Sequence, residues 1–400
     1  GHKAAKNVIA VGNLNLIDEL SGSSSRGPAH DGRIKPEVTA KGSSVYSTTN
    51  PNSYTNKSGT SMACPGVAGT LAQLYQAYRD ANNNEDPKAG LMKAIIMNPA
   101  DDLGNPGPDF RFGFGRINGL RAARTIEEYR HDSATIDQGQ IISHTLEITE
   151  NTYELRIMLY WTDFEATAGS VVALVNDLNL VVTDPMNNIF RPWILDHTPN
   201  STALNAPATR GIDSINNVEQ VTIAAPLPGQ YNIDVEGFLV PQGPQQYFIT
   251  WEIIGPEIHL DYPAGGESLV PGDSELIRWT AHGTSGNFIL EFSIDDGQSW
   301  ELINDNINAA SRHHIWLVPT AVTGQARVRL SRNGESVFSE YPFSIIGVPQ
   351  NLQLDWACTN SFRIVWDEVF GAEHYIVRKL GDEYMDSIAT TSLRSYVFSD

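Results

Sequence analysis

Up to about residue 130, apolar side chains recur three and four apart; from His131 onward they alternate or run in short blocks between Pro and Gly. The first pattern is the mark of helices and the second of strands. Val67, Leu71, Leu74, Tyr75 and Tyr78 keep the helical period until Asn82–Asn84 interrupts it, which predicts one long helix. A second helix is expected behind Pro87, carrying Leu91, Ala94 and Ile95, and a third behind Asn118 as N-cap. Ahead of them Lys6 to Gly12 (KNVIAVG) reads as a short buried strand. One strand pattern with three helices predicts an α/β domain over residues 1–130.

The remainder is expected to be all-β and divided into units. Tyr153 to Trp161 (YELRIMLYW), Leu178 to Thr183, Gln230 to Val235 and Tyr247 to Ile254 predict a sandwich or jelly roll over 131–256. Strands near Glu275, Phe288 and Ala326 predict an immunoglobulin-like sandwich over 257–346. Residues 347–400, with strands near Ser361 and His374, are too few to close a sandwich and are expected to be a truncated unit. The fold class is therefore multidomain, a partial α/β domain followed by β-sandwiches.

Charge narrows the partners. Asp and Glu number 47 against 27 Lys and Arg, a net charge of −20, which repels nucleic acid and anionic membranes. No run of about 18 apolar residues could span a bilayer, and Gly1 is not preceded by a basic and apolar leader, so any signal peptide is expected upstream. The two cysteines, Cys64 and Cys358, fall in different predicted domains and imply no disulfide framework. Cys64, among Ala and Gly on a helix, is expected to be a small buried hydrophobe.

The chemistry concentrates in Lys57 to Gly69 (KSGTSMACPGVAG). Gly59 and Thr60 make a small-residue turn that delivers Ser61 to the first turn of the long helix, with Met62, Ala63 and Pro65 completing the motif. A serine there lies at the positive end of the helix dipole, and its backbone N–H is free to donate to a developing oxyanion. Pro65 is expected where its missing N–H costs little.

The string GTSMAxPxVAG resembles the nucleophile motif of the subtilase family of serine proteases. The likeness extends over roughly 115 residues, through KNVIAVG, the Ser24 to Pro28 turn, Asp31 to Glu37 (DGRIKPE) and Phe112 to Gly119 (FGFGRING). It implies Ser61 as nucleophile and oxyanion N–H donor, with the catalytic Asp, His and oxyanion Asn expected before Gly1. Gly66 stands where the family often has His. His282-Gly283-Thr284 imitates the family's His-Gly-Thr but follows Ser61 among strands, and His2 and His30 lie outside the motif. Asp31 reads as a turn former.

Leu174 to Leu180 (LVNDLNL), Thr183-Asp184-Pro185, Asn216 to Glu219 and Gly243 to Gln245 are similar to the jelly roll behind some bacterial subtilases, itself like the P-domain of proprotein convertases. Asp163, Asn176, Asp177 and Asp184 supply hard oxygens at turns; they either hold a structural Ca²⁺ or cap the turns. Ser293 to Trp300 (SIDDGQSW) matches the Asp-box, a hairpin device, and Trp366 with Tyr375 resemble fibronectin type III core aromatics. The expectation is a secreted or surface endopeptidase acting on polypeptides with no cofactor for catalysis, attached, if at all, through a further C-terminal region. The rival is a non-catalytic adhesive protein on a degenerate protease scaffold.

Overall fold

The computed structural model describes residues 2–283, 285–382 and 385–399. Strands β1 (Val11–Leu14) and β2 (Val38–Lys41) pair in parallel, Val11 opposite Val38 and Leu14 opposite Lys41. The expected strand from Lys6 begins only at Val11. The backbone before it is held by side chains instead of a ladder: Lys93 Nζ donates to the carbonyls of Lys6 and Val8 at 2.9 and 2.8 Å, and Glu37 Oε2 accepts the Ala10 N–H at 2.8 Å. An exposed hairpin follows, β3 (Val45–Thr49) with β4 (Ser53–Lys57), then helices α1 (Thr60–Ala81), α2 (Ala89–Met97) and α3 (Gly119–Glu127). Asn118 caps α3, its side chain accepting the Arg121 N–H at 3.0 Å. Helix α1 packs on β1, β2 and α3, where Ala63, Val67 and Leu74 are buried and Leu71 half-buried.

The sandwich is built from β5 (His131–Ile136), β6 (Ile141–Ile148), β7 (Glu154–Trp161), β8 (Asp177–Thr183), β9 (Ile189–Phe190), a small pair β10 (Trp193–Ile194) with β11 (Thr209–Arg210), β12 (Val218–Ala224), β13 (Gly229–Leu239) and β14 (Gln245–Ile254). One sheet has the order β12-β7-β14-β5 and the other β6-β13-β8-β9. Alternate residues of β7, Leu155, Ile157, Leu159 and Trp161, enter the core between the sheets. Met158 and Tyr160, on its other face, join Val218 and Phe248 in a second core with α1, α2 and β2. This sheet is thus buried on both faces, which explains why β7 reads as a continuous apolar run and not an alternating one. Gly90 makes the contact close: a Cβ there would stand 2.6 Å from the Phe248 ring. Residues 1–256 accordingly form one compact unit, α/β segment and sandwich together.

Residues 257–400 form the second unit. Its first part carries one sheet from strands His259–Tyr262, Ser274–Thr280 and His313–Leu317 and a larger one around Phe288–Ser293 and Thr323–Arg332. Trp279 and Phe288 meet in the core between them, ring centroids 5.3 Å apart. Its second part has the sheet Gln353–Ala357, Ser361–Val365 and Ser395–Ser399 and a separate hairpin, with Trp366 edge-on to Tyr375 at 5.3 Å. In the Asp-box turn, Asp295 accepts from Ser293 Oγ at 2.7 Å and from the Ser299 N–H and Oγ at 2.9 and 2.6 Å. These three hydrogen bonds from Ser299 and Ser293, with the Gln298 N–H close by, hold the carboxyl down to about 2.

Candidate active site

Ser61 is the second residue of α1. Gly59 is the N-cap at φ 151°, in backbone that favours glycine, and the turn is anchored from below: Gly59 N–H donates to the Gly42 carbonyl at 2.9 Å, and Gly42 N–H to that of Leu14 at 3.0 Å. The nucleophile turn is therefore seated on the ends of β1 and β2. Gly42 permits this, since a Cβ on it would lie 2.6 Å from the Gly59 oxygen. The N–H groups of Met62 and Ala63 return to the Gly59 carbonyl, at 2.9 and 3.3 Å, whereas that of Ser61 has no acceptor within the helix. Pro65 is the sixth helical residue, one turn later than expected, so it leaves the Ser61 carbonyl without its usual donor.

The Ser61 side chain is exposed, and among the described residues its hydroxyl makes no hydrogen bond. Cys64, Pro65, Ala68 and Ala72 continue the same open face at helical spacing. Cys64 is thus exposed and not the buried hydrophobe expected, because the core lies on the opposite face, at Ala63, Val67 and Leu74. His30 is exposed on the loop before Arg33, and Asp31 pairs with Arg33 at 2.6 Å and accepts the Ala173 N–H. His282 and Gly283 lie in the second unit, their carbonyls held by Arg332; Thr284 is outside the described residues. An Asp132–His144–Tyr247 chain, both contacts 2.8 Å, has triad-like spacing. It ends on a tyrosine packed in the sandwich core, to which no serine among the described residues is bonded.

Behind β1 lies a buried charge network with only the DGRIKPE string to mark it. Glu37 Oε1 accepts from both Lys35 and Lys93, the latter at 2.9 Å. Burial draws the Lys93 ammonium down to about 8, with Lys35 adding to the effect against the pull of Glu37.

The four residues expected either to hold Ca²⁺ or to cap their turns do different work. Asp163 is filled by Lys6 at 2.5 Å and by the N–H groups of Val175 and Asn176. Asn176 clamps Gln242 and Gln245. Asp184 closes its own turn through Met186 and Asn188. Asp177 alone keeps an unpartnered oxygen, and burial, then the charges of Asp213, Asp163 and Glu236, push its carboxyl up to about 7. Asp213, beside it, was not marked by any motif, and Glu219 was marked only as the last residue of the Asn216 to Glu219 string.

Ser61 is thus raised on a glycine cap to the mouth of a helix, beside a parallel strand pair. Comparison with known proteins places the family likeness in the first segment: residues 2–115 match Peptidase_S8, the Subtilase family, as a C-terminal portion of its domain. The PII-type proteinase of Lactococcus lactis subsp. cremoris is 48% identical over 66 residues, 16% of this chain and 4% of that protein. The serine protease/ABC transporter B family protein tagD of Dictyostelium discoideum is 24% identical over 339 residues, covering 63% of this chain, and so past residue 115, and 18% of its own length. Among solved structures, the patellamide maturation protease PatA overlaps 32% of this chain and 46% of its own at 22% identity, with a TM-score of 0.27. The matched stretches are a small part of the curated relatives.

Proposed function

We propose that Ser61 is the nucleophile of a subtilisin-like serine endopeptidase that hydrolyses peptide bonds through an acyl-enzyme. The observation that carries this reading is the Ser61 position itself: exposed, unbonded, at the first turn of α1, with a free backbone N–H beside it. Ser61 Oγ would attack the scissile carbonyl while its N–H faces the oxyanion; a histidine base, its orienting aspartate and an oxyanion asparagine would come from chain preceding Gly1. The substrates are polypeptides, and the protein works outside the cell or at its surface, with the β-units as spacers. Proteases are named among the relatives, and the motif is intact from Gly59 to Pro65.

The test is fluorophosphonate labelling of the full-length protein. Ser61 should carry the adduct, and Ser61→Ala should abolish it and lower kcat by about 10³-fold or more. Residues 1–400 alone should not turn over casein, because among the described residues no base is hydrogen-bonded to the Ser61 hydroxyl to take its proton. Labelling that persists in Ser61→Ala, or Ser61-dependent turnover by residues 1–400, would overturn the proposal.

A further inference from the structure

Where the α/β segment meets the sandwich, a cavity of about 310 Å³ is enclosed by the loop 102–107, strands β7 and β12 and the small β10–β11 pair. Its apolar wall is Pro106, Phe114, Trp193 and Ala224. Trp193 is held in place: its indole Nε1 donates to Thr222 Oγ1 at 3.1 Å, and Gly107 packs so closely that a Cβ there would lie 2.9 Å from the ring. Arg210, opposite Trp193 in the register of β10 and β11, lays its guanidinium over the indole, 3.3 Å from the ring centroid.

Two arginines line the cavity, and they differ in how their charge is met. Arg156 is bound to Glu154 at 2.8 Å and to the Ala100 carbonyl at 2.6 Å. Arg210 forms no salt bridge with an acid among the described residues. It donates instead to the Arg191 carbonyl at 3.3 Å and to the Thr222 carbonyl and hydroxyl at 2.5 and 3.0 Å. Those bonds and the indole fix a flexible side chain in one pose, and they leave its Nε–H and one N–H of Nη1 without a protein acceptor. Fixing such a side chain costs entropy, and a guanidinium already fixed with donors to spare is preorganised for an anion.

We propose that this cavity binds a small organic carboxylate with an apolar body, the carboxylate on Arg210 and the body against Pro106, Phe114 and Trp193. A volume near 310 Å³ suits a small molecule and excludes a folded partner. The chain's net charge of −20 repels anions at large, so selection falls to the local cation. Asp102 lines the same space; its Oδ2 accepts the Gly107 N–H at 2.8 Å, and its Oδ1 makes no hydrogen bond among the described residues. Simple acids and α-amino acids share the chemistry that Arg210 would recognise, and an ammonium group on the second would meet Asp102. The proposal stands whether or not Ser61 is catalytic.

The experiment is a saturation-transfer NMR titration of residues 1–400 with 4-methylpentanoate, with L-leucine and, as uncharged control, with 4-methylpentanamide. At least one carboxylate should bind saturably with a Kd of about 1 mM or below, and at least about tenfold more tightly than the amide. Tighter binding of leucine assigns the ammonium to Asp102; tighter binding of 4-methylpentanoate assigns the site to simple acids. Arg210→Met keeps an apolar chain over the indole and should weaken the carboxylate at least about tenfold. Ala224→Phe fills the cavity from an exposed position, leaves Arg210 in place and should abolish binding, which decides the matter if the first variant fails to fold. No saturable binding of either carboxylate up to about 10 mM, an amide within about tenfold of the better one, or binding that survives either substitution in a folded chain would overturn the proposal.

Discussion

Replacing Glu37 with glutamine tests what holds the chain ahead of β1 in place. Glu37 is 4% exposed and joins three groups: Lys35, Lys93 and the Ala10 N–H. The amide of Glu37→Gln fills the same space and can still accept from Ala10. It leaves two buried ammonium groups with carbonyl partners only, Lys93 on Lys6 and Val8 and Lys35 on Ala5. Breaking a buried ion pair from one side costs about 3–5 kcal/mol, so about 4 kcal/mol is expected here. Hydrogen exchange followed on peptides from β2 and α2 reads this unit apart from residues 257–400. About 4 kcal/mol corresponds to roughly a thousandfold loss of protection wherever exchange needs global opening. The double variant Glu37→Gln with Lys93→Met removes one of the two stranded charges, the more deeply buried, and should recover at least half of the loss. If protection falls less than about tenfold in the single variant, Glu37 is not the anchor described.

Further outcomes follow from the same contacts. Lys93 is about 8 in the folded chain against 10.5 in the open one, so between these values the unfolded state holds more protons and the Lys93 contribution to stability rises with pH. Urea midpoints of Lys93→Met should lack that rise from pH 8 upward; a slope identical to the parent's would refute the assignment. Phe248→Ala removes the ring lying on Gly90 and should cost about 3–5 kcal/mol, measured by urea unfolding, through the core under α2. A cost below about 1 kcal/mol would mean that the contact between helix and sheet is slack.

Much of the nucleophile's setting could be read in the sequence because it is local. Small residues, a serine and a helical period lie within about 25 positions, and Asn82 stops the pattern where α1 ends. What escaped the sequence depends on distant partners. Cys64 is exposed because the helix's core face is set by β1 and β2, not by the composition of its own turn. Lys6 to Ala10 have strand composition, yet Lys93 and Glu37 satisfy their backbone groups and no ladder forms there. The acids around Asp177 come from β8, from the loop at Asp213 and from β12, so no spacing rule could gather them, whereas Asp163 and Asp184 stood at tempting turns and are used up locally.

A sheet sealed on both sides also limits how such a gene can recombine. The sandwich cannot be shed, swapped or grafted as a cassette at residue 130, because the cut would strip α2 from Met158, Tyr160, Val218 and Phe248 and leave a greasy, aggregation-prone surface. The chain's compact units instead part between Pro256 and Glu257. Exchange of accessory modules by insertion or deletion should be tolerated at that joint, and the nucleophile segment and the sandwich should be inherited together.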